Sequence, residues 1–292
     1  MTLEVVPSAL YSLSNVKAIL ADGNSSILHK TLTADLENKA IYVTTPLIVC
    51  IRQGKQLIRD SDGSAHCVDE HHLIFLNKGV YTVSDYVTVG GAFEALLLFF
   101  DDALIARYCA RFAGDDAPAP PPSAPGTYLL KADAQIQHYM DSLNHVYGDA
   151  QGSHALLELK LLELLHLIAL QDKSSRFVGV LAGAGGARRR PIGDFMEQYY
   201  SHKLKIDDYA ALSGRSASSF QRDFKRNYGT TPMRWLQERK VAIAHQLLVS
   251  KNYSVTDAAA EVGYENTSRF IKAYKLRYGI TPGQARAQAG QP

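Results

Sequence analysis

Ser218, Ser219, Gln221, Arg222, Lys225 and Arg226 fall within nine residues, and Thr267, Ser268, Arg269, Lys272, Lys275 and Arg277 fall within eleven. Guanidinium and ammonium groups can pair with guanine edges in a DNA major groove, and a glutamine amide with adenine. The remaining basic groups can hold phosphate, which positions a protein without reading sequence. A second chemistry is offered by His66, Cys67, Asp69, Glu70, His71 and His72, all capable metal ligands. Zinc needs donors that converge tetrahedrally. His71 and His72 are adjacent, so on a strand they face opposite ways. This stretch is expected to be a polar turn between strands, with no metal and no cofactor.

The two basic sets must sit on elements that repeat. Aligned with itself at an offset of 50, the chain matches at six of the thirteen positions between 220 and 232. Phe220 meets Phe270, Lys225 meets Lys275, and Tyr228, Gly229, Thr231 and Pro232 meet Tyr278, Gly279, Thr281 and Pro282. In the first copy, Ile206 to Leu212 reads as a short helix, Ser213-Gly214 as a turn, and Ser216 as the N-cap of a second helix. That helix runs to Tyr228 and stops at Gly229. Phe220, Phe224 and Tyr228 recur every four residues, which places them on one buried stripe with the basic set opposite. The second copy has a helix over Val255 to Val262, a turn at Gly263-Tyr264, and a helix from Asn266 to Tyr278 with Phe270, Tyr274 and Tyr278 inward. Helix, glycine turn and a helix with outward donors is the helix-turn-helix plan.

Pro232 suits the first turn of a helix running from Met233 to Ser250. Eighteen residues at 1.5 Å rise span about 27 Å. Successive major grooves on one face of DNA lie about 34 Å apart. One chain could therefore set both recognition helices in adjacent grooves.

Charge divides in the same place. The net charge of +2 splits into +9 from Arg188 onward (18 basic, 9 acidic) and −7 before it (13 basic, 20 acidic). A basic third on an acidic remainder points to a polyanion-binding module attached to something else, and against a packaging protein basic throughout. No run of about 18 apolar residues appears, so no membrane span is expected. The N-terminus lacks a basic head before an apolar segment, so no secretion signal is expected. Three cysteines, Cys50, Cys67 and Cys109, fit reduced thiols in a cytoplasmic protein.

Two breaks organise the rest: GDDAPAPPPSAPG over residues 114–126 and GAGGARRRP over residues 183–191. Consecutive prolines make the first an exposed loop, and glycine before a basic cluster makes the second an interdomain linker. Before the first break, Ile41 to Arg52, Gln56 to Arg59, His72 to Leu76, Tyr81 to Val89 and Phe93 to Phe100 are short apolar or alternating runs separated by turn formers. Strands at this spacing predict a barrel or double-sheet jelly roll. A helix follows from Asp101 to Phe112. Lys131 to Tyr147 and Ser153 to Gln171 predict two more. The last carries Leu157, Leu161, Leu164, Leu165 and Ile168 among further leucines, a stripe wider than one core face needs. It reads either as packing against the barrel and its neighbour helix or as a dimer or partner surface.

Two helix-turn-helices joined by a helix, with A-x-x-x-G-Y over Ala259 to Tyr264 and G-x-T-P closing each copy, resemble AraC-family transcription regulators over residues 193–286. Four further stretches resemble the ExsA-type branch, activators of type III secretion genes: EALLLFF (94–100), HALLELKLLELLHLIAL (154–170), HCVDEHHLIFLNKGVYTVS (66–84) and RWLQERKVAIAHQLL (234–248). The family's aromatic after the second proline is missing, as Gly283, Gln284, Ala285 and Arg286 stand there. The resemblance implies an α+β chain. It predicts a regulatory and dimerisation domain over residues 1–175, with a jelly-roll or cupin-like β-barrel (1–113) and flanking helices (131–172). A linker over 176–192 and an all-α double helix-turn-helix domain over 193–292 complete it. By position it assigns base reading to Ser218, Gln221 and Arg222 and to Ser268, Arg269 and Lys272, and phosphate contact to Lys225 and Lys275. It implies promoter double-stranded DNA, RNA polymerase, an anti-activator protein and a homodimer on DNA as partners, and no enzyme activity. A regulator of metabolic or transport genes, sensing a small molecule in the barrel, is the alternative. A cupin-like enzyme fused to a DNA-binding domain would need a convergent ligand set, and the barrel region carries none.

Overall fold

A computed structural model describes residues 3–60, 63–112, 126–147, 154–174, 176–184, 192–200, 204–251, 253–264 and 266–289. The chain is mixed α+β and divides into two compact units, Met1–Gly186 and Ala187–Pro292. Most of the proline-rich stretch, the glycine-arginine stretch from residue 185, and the connection at 148–153 lie outside the described residues.

The first unit holds strands β1 (Glu4–Val6), β2 (Val16–Asp22), β3 (Ser25–Leu32), β4 (Leu36–Val43), β5 (Leu47–Gln53) and β6 (Lys55–Asp60). These are followed by β7 (Ala65–Val68), β8 (His72–Leu76), β9 (Gly79–Tyr86), β10 (Phe93–Phe99), helix α1 (Asp102–Phe112) and β11 (Thr127–Lys131). Helices α2 (Ala134–Tyr147), α3 (His154–Gln171) and α4 (Arg176–Ala184) complete it. The strands form a five-stranded sheet, β1-β4-β9-β6-β7, and a six-stranded sheet, β11-β8-β5-β10-β3-β2. The expected barrel is therefore two facing sheets that do not close. The jelly-roll reading of two sheets is the one that fits.

Two cores explain the strand sequences. Leu28, Val49, Ile51, Ile74, Phe93, Ala95, Leu97 and Phe99 fill the space with the other sheet's Val43, Ile58, Val68 and Tyr81. Their neighbours Ile27, Ile48, Cys50, Leu73, Phe75, Leu96 and Leu98 pack with the helices. The six-stranded sheet is covered on both faces, so β5, β8 and β10 read as near-continuous apolar runs rather than alternating ones. A polar group is enclosed between the sheets: Lys30 pairs with Asp85 at 2.6 Å, and Gln56 Nε2 donates to the other Asp85 oxygen at 2.6 Å.

The helices lock on through side chains readable in advance and through some that were not. Asp101 caps α1 by accepting from the Leu104 N–H at 2.7 Å. Tyr108 Oη donates to the Leu165 carbonyl at 3.1 Å, and Arg107 pairs with Glu158 at 3.1 Å. α3 packs on α1, α2, α4, β2 and β3. Leu157, Leu161, Leu164, Leu165 and Ile168 are all buried in that core. The dimer-surface reading of these five is thus corrected: the stripe is wide because α3 has neighbours on several sides. Its exposed leucines are Leu159 and Leu170, at 63% and 66%. A second correction concerns the expected linker. α4 lies inside residues 176–192 and buries Phe177, Val180, Leu181 and Ala184 in the same core. Third, Thr127–Lys131 pairs with β8 as a strand, so α2 starts at Ala134 rather than Lys131.

The second unit is all helical: α5 (Ile192–Tyr199), α6 (Ile206–Leu212), α7 (Ala217–Tyr228), α8 (Pro232–Ser250), α9 (Val255–Glu261), α10 (Thr267–Tyr278) and α11 (Pro282–Ala289). The order is helix-turn-helix (α6, α7), linker helix (α8), helix-turn-helix (α9, α10).

Candidate nucleic-acid interface

The two outward helices are held by matching caps. The Ser219 N–H donates to Ser216 Oγ at the start of α7, and the Arg269 N–H to Asn266 Oδ1 at the start of α10. Both helices end on a glycine in the left-handed region, Gly229 at φ 67° and Gly279 at φ 74°. A side chain with Cβ is strained there, which explains why both copies keep glycine. Thr231 caps α8 through the Arg234 N–H, with Pro232 in its first turn.

Phe220 and Phe224 are fully buried, and Phe270 and Tyr274 likewise. Tyr228 was expected to complete the first stripe. It is 38% exposed instead, stacked on Phe224 with ring centroids 4.6 Å apart. α8 anchors both copies. Trp235 meets the rings of Phe224 and Tyr228 edge-on, at 6.0 and 6.3 Å. Ten residues on, His245 stacks on Tyr278 at 4.4 Å and shares a 2.6 Å hydrogen bond with the Tyr274 hydroxyl. Burial, and secondarily Tyr278, push the Tyr274 hydroxyl up to about 12, so it stays protonated and able to donate. Sequence inspection missed both anchors. The place that Trp235 takes after the first proline is taken by buried Ala285 after the second.

The two copies use different chemistry inside. In the first, Asp223 is buried on α7 and accepts from Arg215 Nε at 3.2 Å and from Arg226 Nη2 at 3.1 Å. Arg215 also donates to the Ser213 carbonyl at 2.8 Å, so one carboxylate ties the turn to the recognition helix. In the second, Ala273 stands at the matching position, and Tyr264 in the turn packs edge-on against Phe270 at 5.4 Å.

All eight expected contact residues are exposed: Ser218, Gln221, Arg222 and Lys225 on α7, and Ser268, Arg269, Lys272 and Lys275 on α10. Residues 218, 221, 222 and 225 are spaced to share one face of α7, and 268, 272 and 275 one face of α10. Among the described residues, the five basic side chains in these sets form no ion pair, so their charge faces solvent. Two other expected outward groups are engaged. Arg226 binds Asp223, and Arg277 donates to the Glu238 carbonyl of α8 at 2.9 Å.

The candidate metal stretch has other partners. Asp69 accepts from the His71 N–H at 3.0 Å and lies 2.8 Å from His72 Nδ1, while His66 Nε2 meets Thr127 Oγ1 at 2.8 Å. These bonds, with His72 the larger cause, hold the Asp69 carboxyl below its usual range. No cluster of three metal-capable side chains occurs among the described residues. Nor is any described helix long and apolar enough to cross a membrane.

Comparison with known proteins agrees with this geometry. Residues 46–180 match the ExsA N-terminal regulatory domain family, and residues 209–288 match a helix-turn-helix domain family. The chain is 27% identical over 240 residues to the thermoregulatory protein LcrF of Yersinia pestis, covering 79% of this chain and 85% of that protein. It is 26% identical over 241 residues to the HTH-type transcriptional regulator ExsA of Pseudomonas aeruginosa, covering 82% and 85%. The virulence regulon transcriptional activator VirF of Yersinia enterocolitica is 25% identical over 240 residues, covering 79% and 85%. With a match to the ExsA N-terminal regulatory domain family and a double helix-turn-helix at the other end, the chain is similar over most of its length to transcription regulators of the AraC type.

Proposed function

We propose that the chain activates type III secretion or virulence genes by binding their promoters through both recognition helices. The observation that carries the DNA-binding step is the pair of exposed faces on α7 and α10, on which Arg222, Lys225, Arg269, Lys272 and Lys275 form no ion pair among the described residues. Arg222, Gln221 and Ser218 read one half-site; Ser268, Arg269 and Lys272 read the other; Lys225 and Lys275 hold phosphate. The target class rests on the ExsA-type match over residues 46–180 and on relatives named for virulence regulation. On this reading the protein works in the cytoplasm, binds promoter DNA as a homodimer and contacts RNA polymerase. Its N-terminal domain receives an anti-activator protein as the signal. The double-sheet region and its helices form that regulatory part, and residues 193–292 form the DNA-binding part.

Genome-wide occupancy of the tagged protein in its native host tests the target class. Peaks at type III secretion operons are expected. Peaks confined to metabolic or transport genes would refute it.

A further inference from the structure

α10 carries a side chain inside its outward face that the proposed reading does not use. Leu276 is 90% exposed, the most exposed large apolar side chain of the DNA-binding unit among the described residues. The helix is held without it, by the Asn266 cap, by Gly279 and by buried Phe270 and Tyr274. Seen down the axis, Leu276 lies about 20° from Arg269 and about 40° from Lys272. Ser268, Lys272 and Leu276 follow one another at four-residue steps, in a row about 12 Å long. Homeodomains read base edges from positions about two turns apart on one helix, and Arg269 and Leu276 stand about two turns apart.

The first copy differs at this place. Arg226 occupies the matching position of α7, and Asp223 holds it at 3.1 Å. In α10 Ala273 replaces that carboxylate and Leu276 replaces the arginine. The second reading row therefore ends in an apolar group with neither clamp nor charge. Leucine has no donor or acceptor to offer a base edge or a phosphate. Thymine alone of the four bases presents a methyl group in the major groove, and apolar side chains recognise it by contact. Such contact takes both groups out of water.

We propose that Leu276 is a specificity-determining residue that reads a thymine methyl group in the half-site of α10. The inference rests on the reading that α10 enters a major groove.

The test begins with selection of duplexes from a randomised pool by the full-length protein. Each thymine of the enriched site is then replaced singly by deoxyuridine, which removes only the methyl group. One replacement should weaken binding of the parent about fourfold. Leu276→Ala, at an exposed position, should melt with the parent and lose most of that discrimination, so that thymine and deoxyuridine bind nearly alike. An enriched site in which Leu276→Ala lowers no thymine-to-deoxyuridine ratio would overturn this inference alone. Failure of the parent to enrich any sequence would overturn the base-reading role of both helices, and this inference with it.

Discussion

Asp223→Ala should destabilise the DNA-binding unit without touching a base-reading side chain. Asp223 and Arg215 are nearly enclosed, with 12% and 11% of their side chains exposed. Removing one member of a fully buried pair costs about 3–5 kcal/mol because the other charge is left uncompensated. Arg215 keeps its bond to the Ser213 carbonyl and retains some water, which places the cost at about 2 kcal/mol. The Arg226 bond contributes little, since Arg226 is 72% exposed. For a unit of about a hundred residues, about 2 kcal/mol lowers the melting temperature by roughly 10 °C. Differential scanning calorimetry of the full chain would read this on the second unit's transition, while the first unit's transition stays in place. The double variant Arg215→Met/Asp223→Leu should regain most of the loss, because no charge is then left stranded. A drop of under about 2 °C in Asp223→Ala would refute the view that this carboxylate holds the turn to α7.

Arg222→Ala should relax base preference at one half-site at a cost of about 1–3 kcal/mol, whereas Lys275→Ala should weaken all sequences alike and reduce the salt slope by about 1; equal weakening of every site by Arg222→Ala would make it a phosphate contact. Leu161→Ala should destabilise the first unit by about 2–5 kcal/mol, while Leu159→Ala should stay within about 0.5 kcal/mol; denaturant unfolding separates a core position from a surface one. Burial pushes the Cys50 thiol up to about 11, so at pH 8 only about one part in a thousand is thiolate. Iodoacetamide should then label exposed Cys67 and spare Cys50, and early modification of Cys50 would contradict its enclosure.

The helix-turn-helix pair was legible because its signals are local: two caps, two glycines, an aromatic every fourth residue and an exact offset. Each binds a neighbour within four positions, so spacing alone reveals it. Most of the sheet was less legible. β1 and β11 gain their pairing from residues far along the chain, as β3 does on its β10 side, and the apolar runs of β5 and β10 do not alternate because helices cover the second face. The stripe on α3 was ambiguous for the same reason: periodicity measures how apolar a face is, not what covers it. The Asp223 clamp and the Trp235 and His245 anchors were invisible because their partners lie on other elements. Arg277 looked like a free donor and is structural for that reason, whereas Arg226 pairs with Asp223 one turn away on the same helix.

The two helix-turn-helices share an outline and differ in filling: a charged clamp and Trp235 in one, Tyr264 and His245 in the other. Repetition of the backbone has therefore not made the copies interchangeable parts. A chimera that moves α10 whole into the place of α7 would set Ala273 opposite Arg215 and leave His245 without its tyrosines. Exchanging only residues 218, 222 and 225 for 268, 272 and 275, all exposed, disturbs neither interior. Drift in operator preference can thus proceed on the surface of each reading helix while the interiors stay committed, each to its own end of α8.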